Sequence, residues 1–167
     1  ALTAWALWYF VDRVSGSLAA CLLLPSGVQH ADVTLTNVLA LDGRVSGVID
    51  FGDLHHTAQV CDLAVTLTAV LRNSGPTHEA DTFALAGAVL RGYQRHRLLT
   101  PAEVDVLGDL VLARLGVSTL ISRLRAPGHQ DNTAYITQYD EANARVLAEL
   151  SALSPGDLRS RLHRLAG

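Results

Sequence analysis

The sequence His30–Asp62, HADVTLTNVLALDGRVSGVIDFGDLHHTAQVCD, contains two polar motifs separated by an alternating apolar segment. Residues 30–37 have the form H-x-D-x-x-x-x-N, and residues 50–52 are Asp-Phe-Gly. Phosphoryl transfer to a hydroxyl needs a carboxylate beside the attacking oxygen and oxygen ligands for the Mg²⁺ that bridges the nucleotide phosphates. The two motifs supply these residue types in order, so they indicate the catalytic half of a kinase-like site.

The segment between the motifs predicts a β-hairpin. Apolar residues flank Asp42-Gly43 on both sides, and Asp-Gly is a strong turn signal because the turn needs positive φ. A hairpin over residues 37–50 brings its ends together, so Asn37 and Asp50 are expected to be neighbours. Gly52 is expected to let the backbone bend where a side chain would clash.

The spacing also suggests roles for individual residues. Asp32 suits the carboxylate beside the hydroxyl, while Asn37 and Asp50 suit the metal. Four residues between Asp32 and Asn37 allow one loop to turn back and direct both side chains into one cavity. An H-x-D triplet alone occurs often by chance, but its order with the hairpin, Asp-Phe-Gly and the Asp-Leu-Ala helix start at Asp62 is much more specific.

These motifs resemble the C-terminal lobe of the aminoglycoside phosphotransferase and choline kinase superfamily, which has a protein-kinase-like fold. The resemblance covers roughly residues 20–70, and Val48–Asp53 and Val60–Ala64 are most similar to hydroxylysine kinase-like proteins. In bacteria such domains are sometimes fused to class III aminotransferases, so an aminotransferase is a possible fusion partner. The sequence departs from the family pattern in two places, since Ala31 replaces a common glycine and residues 33–36 are Val-Thr-Leu-Thr instead of the more common Leu-His-Pro-Gly type. These departures leave the substrate class open.

The resemblance implies a role for each matching residue. Asp32 would be the catalytic base, and Asn37 and Asp50 would be Mg²⁺ ligands. His30 would support the loop, and Asp62 would anchor the loop backbone from the following helix. ATP would be the phosphate donor.

Composition excludes several other classes of protein. The chain has 167 residues, 49% hydrophobic and 17% charged, which is typical of a globular domain. The net charge of −3 and the lack of a basic run argue against nucleic acid or an anionic membrane as a partner. Apolar runs are too short to span a bilayer, and Cys21 and Cys61 lack metal or redox spacing. We therefore expect a cytoplasmic protein with reduced, buried thiols.

The sequence lacks residues that a kinase of this kind uses to bind its nucleotide. All 13 basic residues are arginine, so the chain has no lysine, and it has no methionine. A kinase of this fold holds the nucleotide phosphates with a strand lysine and a glycine-rich loop from an N-terminal lobe. We therefore expect an N-terminal nucleotide lobe upstream, and little activity from this chain alone. The alternative is a complete small protein that has lost nucleotide binding.

The predicted architecture is one domain over residues 1–167, mainly α with one small β-hairpin. It is the helical C-terminal lobe of a protein-kinase-like fold without the N-terminal lobe. The helical remainder, residues 60–165, divides at turn and capping signals. Its helices are predicted over residues 60–71, 77–97, 100–124 and 131 or 132 to 150, with a short arginine-rich helix after Ser154.

Three functions are compatible with the sequence. The leading one is an ATP- and Mg²⁺-dependent kinase for a hydroxyl of a small, amine-bearing molecule such as hydroxylysine, an aminoglycoside, choline or homoserine. The second is a non-catalytic kinase-like module for interaction or regulation. The third is a metal-dependent phosphohydrolase using His30, Asp32, Asp53 and His55. Acidic residues of the later helices could receive substrate amines, but the sequence assigns none.

Overall fold

The computed structural model describes residues 4–74, 82–128 and 130–167. In these residues the α-helices are α1 (Ala4–Ala20), α2 (Gln59–Asn73), α3 (Thr82–Gln94), α4 (Pro101–Arg125), α5 (Thr133–Thr137), α6 (Asp140–Ser151) and α7 (Pro155–Ala166). The strands are β1 (Ser26–Gln29), β2 (Val38–Leu41), β3 (Arg44–Val48) and β4 (His55–Ala58). The expected mainly helical fold is confirmed.

The predicted hairpin is formed by β2 and β3. The strands are antiparallel, with Val38 opposite Val48 and Leu41 opposite Arg44. Asp42 and Gly43 join them with φ values of 50° and 73°, and positive φ at both central residues is what a two-residue turn of this kind requires. The turn chemistry of the sequence therefore determines where the hairpin reverses.

A second strand pair was not predicted. β1 and β4 are antiparallel, with Ser26 opposite Ala58 and Gln29 opposite His55. His55 and His56 are adjacent residues of β4. Successive strand side chains point to opposite faces, so the two imidazoles do not converge.

The hydrophobic core lies where α2 packs against α4, with α3, α6 and α7 around this pair. Its fully buried members come from different helices and include Leu67, Leu90, Leu107, Leu115 and Val146. Burying each such side chain contributes about 1.5–3 kcal/mol. Among the helices of the described ranges, none has both the length and the apolar character needed to cross a membrane.

Two further contacts set helix positions around α4. Arg13 Nε donates to Asp109 Oδ1 at 2.9 Å, and Ser17 Oγ donates to Asp109 Oδ2 at 2.7 Å, which ties α1 to α4. On another side, a Cβ added at Gly108 would lie 2.8 Å from Leu158 Cδ2. The glycine therefore allows α7 to approach α4 closely.

Most helix boundaries match the sequence signals. The helices predicted over residues 60–71 and 100–124 are found as α2 and α4. The segment 75–81, which includes the predicted start of the second helix, lies outside the described residues. The helix predicted to run to residue 150 is instead divided into α5 and α6, with Gln138 and Tyr139 forming a turn between them.

The N-terminus of α4 is stabilised by a capping box. Thr100 Oγ1 accepts from the N–H of Glu103, and Glu103 Oε2 accepts from the N–H of Thr100 at 2.9 Å. Arg97 Nη2 donates to Glu103 Oε1 at 2.6 Å, so the fully buried carboxylate has partners on both oxygens. Hydrogen bonding to Glu103 raises the pKa of Arg97, although burial alone would lower it. The helix that contributes the largest share of the core residues therefore begins at a charged, fully bonded cap.

We predict that Thr100→Ala lowers the free energy of unfolding by about 1–2 kcal/mol, because the cap is lost and Glu103 loses a partner. Urea denaturation measures the change. The control is Thr119→Ala on the same helix, whose hydroxyl only bonds to Leu115 O. A Thr100→Ala protein as stable as that control would show that the cap contributes nothing.

Candidate active site

The loop of residues 30–37 is held by α2. Asp62, in the first turn of α2, accepts the N–H of Ala31 on Oδ1 at 2.9 Å and the N–H of His30 on Oδ2 at 3.3 Å. One helical turn later, Thr66 Oγ1 donates to the carbonyl of Val33 at 3.1 Å. Both contacts place the loop backbone relative to the core, and the geometry is the one expected of Asp62 from the resemblance.

His30 connects the loop to the end of the hairpin. Its Nδ1 accepts the N–H of Asp32 at 3.3 Å, which leaves Nε2 to carry the proton and donate to the carbonyl of Ile49 at 3.0 Å. The ring is buried and lies 4.7 Å, centroid to centroid, from the ring of Phe51. His30 thus bridges the H-x-D and Asp-Phe-Gly motifs.

Ala31 occupies the left-handed region, with φ of 66°. This conformation costs an L-residue about 1–2 kcal/mol, whereas glycine adopts it freely. Position 31, where the family resemblance leads us to expect glycine, therefore has a backbone conformation that favours glycine. The hydrogen bonds from residues 30 and 31 to Asp62 hold alanine there.

Asp32 and Asn37 lie side by side within the loop. Asn37 Nδ2 donates to Asp32 Oδ2 at 2.9 Å and to the carbonyl of Asp32 at 2.9 Å. Both partners are acceptors, so the amide nitrogen must face them and Oδ1 must point away. The two side chains are therefore adjacent, and Asn37 Oδ1 is directed away from Asp32.

Asp50 lies at the open end of the hairpin beside Asn37. The N–H of Ile49 donates to the carbonyl of Asn37 at 3.0 Å, so Asp50 follows directly after the residue paired with Asn37. Asp50 has φ of 64° and an exposed side chain without a capping hydrogen bond. The bend therefore occurs at Asp50. The expectation of a clash at Gly52 is wrong, because an added Cβ would lie 3.5 Å from Asp50 Oδ1, an ordinary contact.

The donor atoms of this site suit magnesium. An amide oxygen of Asn37 and the carboxylate of Asp50 are hard oxygen ligands, and Mg²⁺ takes one or two such protein ligands together with water and phosphate oxygens. Transition metals prefer imidazole and thiolate clusters. Within the described ranges, no group of three or more His, Cys, Asp and Glu residues is arranged to hold a metal.

The phosphohydrolase alternative has no support in this geometry. Both ring nitrogens of His30 are already bonded to backbone groups. Nδ1 of His55 bonds to the carbonyl of Asp53 at 2.8 Å, and His55 is exposed on β4. These residues do not converge with Asp32 on one metal position.

One site residue was missed by the sequence analysis. Arg114 of α4 donates from Nη2 to Asp32 Oδ1 at 3.0 Å, across 82 residues of sequence. A signal was present, because Arg114 falls on the apolar stripe of α4 between Leu107, Val111 and Leu115 at helical spacing. A charged residue on a buried stripe needs a partner, and here the partner is Asp32.

The two cysteines lie close to the anchor of the loop. Cys21 and Cys61 are free thiols, and both are half-buried rather than fully buried as expected. The pKa of Cys21 is raised to about 11, mainly by burial of the thiol and to a smaller extent by the neighbouring Cys61. At neutral pH Cys21 is therefore a protonated, weakly nucleophilic thiol.

The helical lobe and its catalytic loop define a class of phosphotransferase that shares the protein-kinase-like fold. The chain belongs to the phosphotransferase enzyme family, APH, whose sequence profile matches residues 1–99. No solved structure matches the chain significantly.

Among curated proteins, several similar sequences carry the name homoserine kinase. The protein of Methylorubrum populi is 37% identical over 107 residues, which cover 62% of this chain and 32% of that protein. The protein of Gluconacetobacter diazotrophicus is 33% identical over 145 residues, covering 86% of this chain and 40% of that protein. The chain thus spans well under half the length of these relatives.

We predict that Asp62→Asn lowers the free energy of unfolding by about 1–3 kcal/mol, because an amide cannot accept from both N–H groups and one loses its partner. Hydrogen exchange of the His30 and Ala31 amides should accelerate. The control is Asp53→Asn, whose carboxylate is exposed. Unchanged exchange at both amides would show that Asp62 does not hold the loop.

Proposed function

We propose that the chain is the catalytic lobe of an ATP- and Mg²⁺-dependent kinase that phosphorylates a hydroxyl of a small, amine-bearing molecule. The observation that carries the proposal is the grouping of Asp32, Asn37 and Asp50 on a loop and hairpin held by Asp62 and His30. Family membership supports the same chemistry.

Each residue has a role in this reaction. Asp32 orients the acceptor hydroxyl and takes its proton as the oxygen bonds to the γ-phosphorus. The bond from that phosphorus to the β–γ bridging oxygen breaks, and ADP leaves. Asn37 Oδ1 and the carboxylate of Asp50 would hold Mg²⁺, which neutralises charge on the phosphates when bound. His30 and Asp62 position these groups and do not touch the substrate.

The nucleotide needs groups beyond the described lobe. The chain has no lysine, so a phosphate-binding lysine and a glycine-rich loop would come from an N-terminal nucleotide lobe. An apolar surface supports this, because the exposed fractions of Leu39, Leu41, Val45, Ile49 and Phe51 lie between 44% and 70%. Several exposed apolar side chains on one hairpin and the residues directly after it are typical of a surface that another domain covers. Fusion to an aminotransferase and a cytoplasmic location stay predictions.

Homoserine is the first acceptor to test. The similar curated proteins are named homoserine kinases, and homoserine is a small amine with a primary hydroxyl. Hydroxylysine, choline and aminoglycosides stay in the acceptor panel.

We predict that Asp32→Asn lowers turnover by about a hundredfold or more, because the amide cannot take the hydroxyl proton. The assay follows ADP release by the full reading frame that includes this chain, with Mg-ATP and the acceptor panel. The control is Asp42→Asn in the hairpin turn, where asparagine also tolerates positive φ. Undiminished turnover in Asp32→Asn would exclude Asp32 as the base, and silence of the wild type with every acceptor would favour a non-catalytic module.

We also predict that residues 1–167 alone bind Mg-ATP weakly and release little ADP, because the lysine and the glycine-rich loop are lacking. Calorimetric titration with Mg-ATP, compared with the full reading frame, measures this. Equal affinity of the two proteins would contradict the need for a separate nucleotide lobe.

A further inference from the structure

The carboxylate of Asp32 is approached from two sides. Asn37 Nδ2 donates to Oδ2 at 2.9 Å, and Arg114 Nη2 donates to Oδ1 at 3.0 Å. The Asn37 contact comes from within the loop, whereas Arg114 comes from α4, one of the later helices. The side chain that reaches Asp32 from these helices is therefore a cation.

Arg114 remains accessible to a ligand. Its side chain is 39% exposed and that of Asp32 is 27% exposed, so solvent reaches the pair. The guanidinium has five N–H donors in a planar fork, which matches the two oxygens of a carboxylate. Within the described ranges, the contact with Asp32 is the hydrogen bond found for this side chain, so donors remain for a bound anion.

A second guanidinium lies in the same region. Arg72, in the last turn of α2, lies over the ring of Tyr139 with Cζ 3.9 Å from the ring centroid. Its Nε is buried and has no hydrogen-bond partner among the described residues. Burial lowers the pKa of Arg72; the electrostatic interaction with Tyr139 raises it, that with Arg114 lowers it and that with Asp32 raises it. The two guanidinium groups are therefore close enough to repel each other.

This arrangement leaves positive charge beside Asp32. Arg114 is bonded to Asp32 and Arg72 lies near enough to feel both charges, so an added anion would reduce the repulsion between the two arginines and accept from their remaining donors. We propose that Arg114, supported by Arg72, binds a carboxylate of the acceptor substrate and thereby selects hydroxyl compounds that carry an acid group. The inference rests on the proposed kinase function and names the residues that would set its acceptor class.

The distances suit a short hydroxy acid. Arg114 Nη2 lies 3.0 Å from Asp32 Oδ1. A substrate hydroxyl that is hydrogen-bonded to the same oxygen would therefore lie close to the guanidinium. In homoserine, four bonds of about 1.5 Å separate the hydroxyl oxygen from the carboxylate carbon, so the carboxylate can reach the guanidinium while the hydroxyl stays on Asp32. An aminoglycoside or choline has no carboxylate to place there.

The test compares two acceptors that differ only in the carboxylate. L-Homoserine and 3-aminopropan-1-ol share the hydroxyl, the amine and the carbon spacing, and the second lacks the acid group. Using the full reading frame, kcat and KM are measured for both acceptors in the wild type and in Arg114→Gln, Arg114→Lys and Arg72→Gln. Arg123→Gln is the matched control, because Arg123 is exposed on the same helix.

We expect the wild type to prefer homoserine by about a hundredfold or more in kcat/KM, because a site built for a charged group rejects the analogue that lacks it. Arg114→Gln should raise KM for homoserine by about tenfold or more and reduce the preference for homoserine over 3-aminopropan-1-ol in kcat/KM by a similar factor. Arg72→Gln should show a smaller change in the same direction, and Arg114→Lys should recover part of the preference, since lysine retains the charge without the fork.

An equal loss of kcat with both acceptors in Arg114→Gln would overturn the inference, because Arg114 would then act on Asp32 or on the phosphate. If the wild type releases no ADP with any acceptor, the proposed function fails. In that case, calorimetric binding of the two acceptors still decides the inference. Tighter binding of homoserine that Arg114→Gln abolishes supports it, whereas equal or undetectable binding of both acceptors refutes it.

Discussion

The carboxylate of Asp62 determines where the catalytic loop lies. It accepts two adjacent backbone N–H groups, those of His30 and Ala31, and so fixes the loop to the first turn of α2. Charge-assisted hydrogen bonds of this kind are stronger than neutral ones, and the helix N-terminus further favours the carboxylate. Asp32 follows within two residues, so its position depends directly on this anchor.

A chain of neutral hydrogen bonds extends the anchor to the second motif. His30 receives the N–H of Asp32 and donates to the carbonyl of Ile49, which immediately precedes Asp50. Because each ring nitrogen has one partner of the opposite kind, the imidazole is neutral in this arrangement and its orientation is set. His30 therefore ties the loop to the end of the hairpin.

The backbone strain of the site is concentrated in the same region. Ala31 and Asp50 both have positive φ, and each lies directly beside a residue bonded to His30 or Asp62. Strained residues persist only where surrounding contacts over-determine their conformation. Here the cost of two left-handed residues is offset by the network that they help to position. Asp32 and Asp50 are thus directed by a backbone that cannot relax without breaking those bonds.

The sequence by itself determined the local features of this protein. The two motifs, the Asp42-Gly43 turn, the capping box at Thr100 and the anchoring helix at Asp62 are encoded by residues at most a few positions apart, where short-range geometry decides the outcome. The tertiary structure alone decided the pairing of β1 with β4, the division between α5 and α6, and the contact of Arg114 with Asp32. These depend on segments that meet only after the core has packed, so the spacing along the chain does not identify the partners. The position of Arg114 on the apolar stripe of α4 indicated that it needs a partner, and the packed core decided that the partner is Asp32. The expectation for Gly52 was wrong for the same reason. The bend occurs at Asp50, which directly follows the end of the hairpin that His30 contacts.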